Sequence, residues 1–311
     1  MNFRPLGCTG LRVSEIGLGA WQLGNPVWQM NDTAEAIRIV ETALDHGCNF
    51  FDTAPGYGAG RSEEILGRAL ESRRDEVVLC SKFGHTAEGG SDFSRAAVRP
   101  SIEASLHRLR TDRLDVCLLH NPPRVLFDGT APEVCAELEA LKSEGKLRAY
   151  GVSLDWREEL DLVLEHTGST AIEMLFNAFH QDPLASFARA RAKGVGLIVK
   201  VPLDSGWLSG RYRADSRFDD IRGRWTPDVI ARRAGLVEKF AALLPPGTSV
   251  HHAALRYILA QPEVSTVIPG AKSPAQAAGN FAAGLDVLSP ETVQAIHALW
   301  QREIASDPLP W

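Results

Sequence analysis

Short apolar, β-branched runs alternate with segments of helical period from one end of the 311-residue chain to the other. Eight of these runs read as strands, ending near Ala20, Asp52, Lys82, His120, Ser153, Asn177, Val201 and Ile268. Amphipathic stretches fill the gaps. One starts at Asp32 with Glu35 three residues on, the pattern of a capping box. It carries Ile37, Val40 and Leu44 on one face and stops at Gly47. The same reasoning predicts helices over 61–71, 94–109, 131–143, 156–166, 183–193 and 274–283.

Through the seventh run, successive strand ends lie roughly 24 to 38 residues apart, close to the ~30 residues of a βα unit. Eight such units predict an α/β protein of the (β/α)8 TIM-barrel class. An open doubly wound sheet would want G-x-G-x-x-G after its first strand, and Gly17-Leu-Gly-Ala-Trp21 lacks that fingerprint. Residues 3–14 read as a hairpin ahead of the barrel, with Thr9-Gly10 at its turn. The seventh and eighth strand ends are about 67 residues apart, double the usual unit. That interval holds a polar stretch (204–225), a helix over 227–243, a break at Pro245-Pro246-Gly247 and a helix over 249–260; a further helix is expected at the C-terminus. Loops after barrel strands build the functional face, so the insertion is expected to act as a lid or clamp. With no repeat or linker, one domain over 1–311 is expected.

Composition narrows the class. Hydrophobic residues make up 44% and charged residues 23%, ordinary for a soluble globular chain. A net charge of −6 provides no basic field for nucleic acid or an anionic membrane. Cys8, Cys48, Cys80, Cys117 and Cys135 are odd in number and scattered, as in a reduced, cytoplasmic protein. The N-terminus lacks a signal-peptide pattern and no apolar run is long enough for a membrane span. A monomer is expected, because a barrel hides its sheet and no helix shows an unpartnered apolar face.

The strand ends carry the chemistry. Asp52, Lys82 and His120 close three consecutive runs, neighbours in a barrel, so their side chains converge at the C-terminal mouth. Tyr57 follows in the loop Ala54-Pro-Gly-Tyr-Gly58, able to fold over that mouth. A phenol near pKa 10 is a poor proton donor at neutral pH. A neighbouring ammonium lowers it, a carboxylate aims the ammonium, and an imidazole can hold a carbonyl oxygen. Each residue alone would be an ordinary rim, packing or loop side chain; the conjunction points to acid–base work on a carbonyl or alcohol. No metal site is expected, since His251 and His252 point to different helix faces and no H-E-x-x-H occurs.

Over nearly its whole length the chain resembles the aldo-keto reductases. The resemblance rests on Arg4-Pro-Leu-Gly…Thr9-Gly-Leu-Arg-Val-Ser14, Phe51-Asp-Thr-Ala-Pro-Gly-Tyr-Gly58, Arg61-Ser-Glu-Glu-Ile-Leu-Gly-Arg-Ala-Leu70 and Cys80-Ser-Lys82. Further matches are Ser105-Leu-His-Arg-Leu109, Leu114-Asp-Val-Cys-Leu-Leu-His120, Gly151-Val-Ser153 and Ile268-Pro-Gly-Ala-Lys-Ser273. It is closest to the bacterial and plant branch that includes sugar and pyridoxal reductases and L-galactose- or fucose-type dehydrogenases. The family's catalytic tetrad falls on Asp52, Tyr57, Lys82 and His120. The resemblance implies hydride transfer from C4 of a nicotinamide to a carbonyl, with Tyr57 protonating the oxygen; the reverse oxidation would use Tyr57 as base.

It also implies a set of cofactor contacts. Gly19, Ala20, Trp21 and Asp52 border the cofactor. Ser153 is kept for the nicotinamide amide, Leu154 stands where Asn is usual, Glu173 stands near the expected Gln, and Asn177 is placed to compensate. The pyrophosphate is expected under the loop carrying Pro202, Leu203, Ser205, Gly206, Leu208 and Gly210. Ile268, Gly270, Lys272, Gln276 and Asn280 surround the adenosine end, with Gln276 where an Arg is often found and Gly279 where a Glu is usual. Lys272 tips the expectation toward NADP(H) over NAD(H). Trp21, Trp28 and Trp207, with Tyr57 and His120, are expected to wall the substrate space, and Arg211, Arg213, Arg217, Arg222 and Arg224 to form a mostly solvated lid surface from which one arginine can reach cofactor phosphate. Two other classes compete: a cofactor-binding regulatory subunit without significant turnover, which the complete tetrad argues against, and a metal-dependent barrel hydrolase or isomerase, which the lack of a ligand cluster argues against.

Overall fold

The structure is a computed structural model describing residues 1–285 and 287–310. Eight strands pair in parallel in chain order: β3 (Leu18–Gly19), β4 (Phe50–Asp52), β5 (Val78–Phe83), β6 (Leu114–His120), β7 (Leu147–Leu154), β8 (Ala171–Leu175), β9 (Gly196–Lys200) and β10 (Val264–Val267). The sheet curls until its edges meet through bridges from Ile16 to Val267 and from Gly19 to Gly270. A hairpin of β1 (Phe3–Pro5) and β2 (Arg12–Ser14) precedes it. Its Leu6, Leu11 and Val13 join Phe50, Val78, Val116 and Ile198 in one buried cluster, stoppering the N-terminal end of the barrel.

The helices are α1 (Thr33–Asp45), α2 (Arg61–Leu70), α3 (Arg95–Arg108), α4 (Glu133–Ser143), α5 (Arg157–His166), α6 (Leu184–Ala192), α7 (Pro227–Ala241), α8 (Val250–Leu259), α9 (Pro274–Ala282) and α10 (Pro290–Glu303). Asp32 caps α1, accepting from the N–H groups of Ala34 and Glu35 at 2.8 and 3.3 Å. The reciprocal half of the expected capping box is missing, because the Glu35 carboxylate turns to Arg38 one turn on.

Three strands differ from their sequence pattern. The first apolar run shrinks to two residues at the seam, where a Cβ on Gly19 would sit 2.7 Å from the Ile268 carbonyl oxygen. Backbone meets backbone there, so a larger residue at 19 would force the closure apart. The sixth ladder, β8, stops at Leu175 rather than Asn177, because Asn177 and His180 bond to each other across a tight turn. The seventh stops at Lys200, since Val201 is left-handed (φ +53) and turns the chain out of the sheet.

Side-chain alternation decides what the barrel holds. Phe50, Val78, Cys80, Val116, Leu118, Ala149, Ala171 and Ile198 point inward to one cluster. Their neighbours Phe51, Leu79, Cys117, Leu119, Leu197 and Val199 pack outward under the helices. Truncating a fully buried member such as Leu118 to Ala would cost ~2–5 kcal/mol. Two residues beyond an inward apolar position, the same face carries Asp52, Lys82, His120, Glu173 and Lys200, and on β7, four residues beyond Ala149, it carries Ser153. The top layer of the barrel interior is therefore polar and charged.

Candidate active site

At the centre of that layer Lys82 is fully buried. Its ammonium donates to Asp52 Oδ1 at 2.5 Å and to the Thr53 carbonyl at 3.1 Å, and lies 3.2 Å from Glu173 Oε2. It also sits 5.2 Å from the centroid of the Tyr57 ring, which β4 presents from its following loop. His120 packs edge-on against that ring at 5.8 Å. Its Nδ1 is buried without a partner, which leaves Nε2 as the nitrogen available to a ligand. Asp52, Lys82 and His120 from the strand ends and Tyr57 from its loop are thus assembled in one place.

A second buried carboxylate extends it. Glu173 Oε1 accepts from Ser153 Oγ at 2.8 Å, and Ser153 Oγ accepts in turn from Lys200 Nζ at 2.8 Å. Lys200 also donates to Asn121 Oδ1 at 2.9 Å and pairs with Asp155 at 2.9 Å. A continuous polar chain therefore runs from the rim at Asp155 to Lys82.

Electrostatics follow from this packing. Burial raises Asp52, and the Glu173 charge pushes it further, to about 8 against the pull of Lys82. Burial also works to raise Glu173, but the charges of Lys82 and Lys200 outweigh it and hold that carboxyl at about 2. Two carboxyls sharing one site thus release their protons at well-separated pH. Burial and then Lys82 drive His120 well below the usual imidazole range, so it is neutral at pH 7. Tyr57 corrects the sequence expectation. Lys82 does lower it, yet burial wins and the phenol lies above its ordinary value.

Above this floor opens a cavity of about 950 Å³. Gly19, Trp21, Trp28, Asp52, Tyr57, His120 and Glu173 line it, as do Pro202, Leu203, Ser205, Gly206, Ile268, Gly270, Lys272, Gln276 and Asn280. Six other candidates lie behind its wall. Trp207 is fully buried against Tyr212, Phe218 and Trp225, forming the core of the lid rather than a substrate wall, with Leu208 buried beside it. Asn177 donates to the Val201 carbonyl and accepts from the Phe179 N–H, and it is absent from the cavity lining. Ser153 spends its hydroxyl within the polar chain. Ala20 is buried with its carbonyl bound to Ser62, and Gly210 is a left-handed turn packed on Val250.

Other lining residues escaped the sequence reading. Lys200 ends a strand as Lys82 does, and the same rule could have found it. Asn121, Asp155 and His85 follow strand ends, and His251 reaches the cavity from the insertion; Arg211 and Arg222, read from the sequence as mostly solvated with one able to reach a phosphate, line it as well. Within the insertion Asp204, Ser205 and Gly206 are successively left-handed (φ +47, +53, +97). The Arg222 guanidinium lies 5.5 Å over Trp28 and 4.7 Å over Phe218, and pairs with Asp220 and the Tyr212 hydroxyl. Cations at Arg211, Arg222 and Lys272, with Ser273 capping α9, line the same cavity as Tyr57 and His120. That donor set fits an elongated, phosphate-bearing dinucleotide.

Comparison with known proteins agrees. Residues 15–301 match the model of the "Aldo/keto reductase family". The chain is 30% identical to L-galactose dehydrogenase of Arabidopsis thaliana, covering 96% of this chain and 94% of that one. It is 32% identical to a probable voltage-gated potassium channel subunit beta of Oryza sativa subsp. japonica, with 97% of each covered. Among solved structures, the holo form of aldo-keto reductase AKR11C1 from Bacillus halodurans superposes with a TM-score of 0.82 at 31% identity, over 96% of both chains. The chain belongs to the aldo/keto reductase family.

Proposed function

We propose that this chain transfers hydride between a nicotinamide dinucleotide and a small carbonyl compound or alcohol, with Tyr57 as the general acid or base. One observation carries the reading: a buried ammonium is held against a phenol by carboxylates, with a neutral imidazole beside the same ring. The bound dinucleotide supplies the hydride donor or acceptor. Ser205, Gly206, Arg211, Arg222 and Lys272 are the residues to hold its phosphates, and Glu173 accepts from its amide. His120, neutral, presents Nε2–H to the carbonyl oxygen. Tyr57 donates its proton to that oxygen as charge develops, and Lys82, fixed by Asp52, stabilises the phenolate left behind. In the oxidation direction Tyr57 takes the proton from the alcohol.

Lys272, with Arg211 and Arg222 lining the same cavity, favours NADP(H) over NAD(H). The reading has the protein work in the cytoplasm as a monomer, on a small molecule; no helix among the described residues is long and apolar enough to cross a membrane. The first test is a titration with NADPH and NADH followed by tryptophan fluorescence, with Trp21 and Trp28 in the cavity wall. Tight NADPH binding followed by turnover of an aldehyde panel supports the reading. Binding of neither cofactor would falsify it. The likeness to a channel subunit supports a second reading, a cofactor-binding regulatory subunit, which predicts NADPH binding with no aldehyde turnover.

A further inference from the structure

The insertion brings an imidazole to the cavity to which hydride transfer gives no work. His251 stands in the first turn of α8 and packs on α9. Its Nε2 lies 2.7 Å from Asn280 Oδ1, while Asn280 Nδ2 donates to the Gly270 carbonyl at 3.2 Å. With the amide nitrogen spent on Gly270, the amide oxygen faces the ring, so His251 Nε2 carries the hydrogen. Nδ1 has no partner among the described residues. Gly279 lines the cavity beside it, and a Cβ there would meet His251 Cε1 at 3.9 Å, so no side chain at 279 covers that edge of the ring. The next imidazole is used differently: His252 Nε2 donates to the Gly279 carbonyl at 3.1 Å, and His252 is absent from the cavity lining. The charged and titratable groups that face His251 are Arg211 from the insertion loop and His252 on its own helix, and α9 opposes it with neutral Asn280 and Gly279. Burial first, then His252 and Arg211, pushes His251 below the ordinary imidazole range against the pull of the Asn280 bond.

We infer that His251 holds a phosphate on the adenosine side of the bound dinucleotide, donating from Nδ1 as an imidazolium, so that cofactor binding takes up a proton and tightens as pH falls. The inference rests on the reading above, in which a phosphate-bearing dinucleotide occupies this cavity. Arg211, Arg222 and Lys272 line the same cavity, so the surroundings suit an anion. Neutral His251, with its hydrogen on Nε2, turns a lone pair toward a phosphate oxygen, and acceptor meets acceptor. The imidazolium turns a donor toward it, and the bond is charge-assisted. An anion also offsets the Arg211 charge, which favours the protonated ring that burial and Arg211 otherwise disfavour. Proton and phosphate therefore strengthen each other by the same factor. The adenine amine, the other group such an edge could meet, is a donor. It would pair with the neutral ring, and binding would weaken as pH falls.

The test measures Kd for NADPH and NADH by tryptophan fluorescence between about pH 6 and about pH 8.5, in wild type, His251→Gln and His252→Gln. Phosphate itself titrates near pH ~6, and comparing wild type with variant at one pH removes that contribution. At the acid end His251→Gln is expected to bind NADPH roughly tenfold more weakly than wild type, with the gap closing toward the alkaline end. His252→Gln should keep the wild-type dependence. A gap seen with NADPH alone assigns the contact to the 2′-phosphate, and an equal gap with NADH assigns it to the pyrophosphate; both support the inference. Parallel curves for wild type and His251→Gln overturn it and leave the hydride-transfer reading intact. So does a gap that opens toward alkaline pH, as the adenine amine requires, or a dependence that follows His252 instead. A wild type that binds neither cofactor overturns both readings. If His251→Gln does not fold, an NMR titration of the wild type decides. NADPH should raise the pH midpoint of the His251 ring signals by about one pH unit, and an unmoved midpoint overturns the inference.

Discussion

The floor of the cavity and its lid are built on different physical principles. The floor residues Asp52, Lys82, His120 and Glu173 stand on parallel strands whose register and alternation leave little choice of direction. The lid, residues 204–225, has no strand to fix it. It is organised by Trp207, Tyr212, Phe218 and Trp225 packing together, with Arg222 laid over aromatic faces. Its anchor is a buried ion pair: Arg233 on α7 binds Asp204, stacks 4.4 Å over Trp225 and donates to the Pro310 carbonyl at 2.6 Å. A rigid floor suits chemistry that depends on sub-ångström placement. A lid pinned at a few points suits admission and release of a large ligand.

Substitutions in each region should therefore fail differently. The largest effect is expected from Tyr57→Phe, which should lose roughly 10²–10⁴-fold in kcat while keeping its NADPH affinity by fluorescence titration. Near wild-type kcat would remove Tyr57 as proton donor. Next comes Arg233→Met, which strands the buried Asp204 carboxylate and should cost ~3–5 kcal/mol of stability in a denaturant melt. A change below ~1 kcal/mol would mean that the lid is not anchored there. Lys272→Met should reduce the NADPH over NADH preference by about tenfold, the worth of one charge–phosphate contact, with kcat at saturating cofactor held. An unchanged preference would make Lys272 a solvated surface lysine.

The smallest effect concerns pH. Asp52 has a folded pKa raised to about 8, so its stabilising contribution is complete below pH ~4 and is lost as pH rises through about 8. Glu173→Gln removes the like charge that pushes Asp52 up. Thermal stability should then fall less between pH 5 and 9 than in wild type, by ~1.4 kcal/mol for each pKa unit removed. Parallel wild-type and variant curves would show that the two carboxyls do not interact.

The tetrad was legible because a strand end next to an apolar run is a local pattern, and parallel neighbours turn local patterns into one cluster. The same pattern held Lys200, whose strand Gly196–Lys200 ends in a lysine just as β5 places Lys82 near its end. Counting two residues past the inward Ala171 would also have placed Glu173 in the interior layer, and the same alternation carried past Gly151 reaches Ser153. Trp207 shows the opposite case. An aromatic on a loop carries no periodicity, so nothing local separates a cavity wall from the hydrophobic core of a lid. Asn177 lies outside the cavity lining for a similar reason, since its amide bonds a backbone carbonyl that the chain brings near only where β9 turns at Val201.

By itself, then, the sequence determined the barrel, the order of its strands and which side chains meet at its mouth, because alternation and spacing act over a few residues. Only the tertiary structure decided that Glu173 competes with Asp52 for Lys82, that burial rather than Lys82 governs the Tyr57 phenol, and that His85 turns toward His120. Those outcomes depend on distances between strands and loops far apart in the chain, and electrostatic and packing energies are set by those distances rather than by residue type.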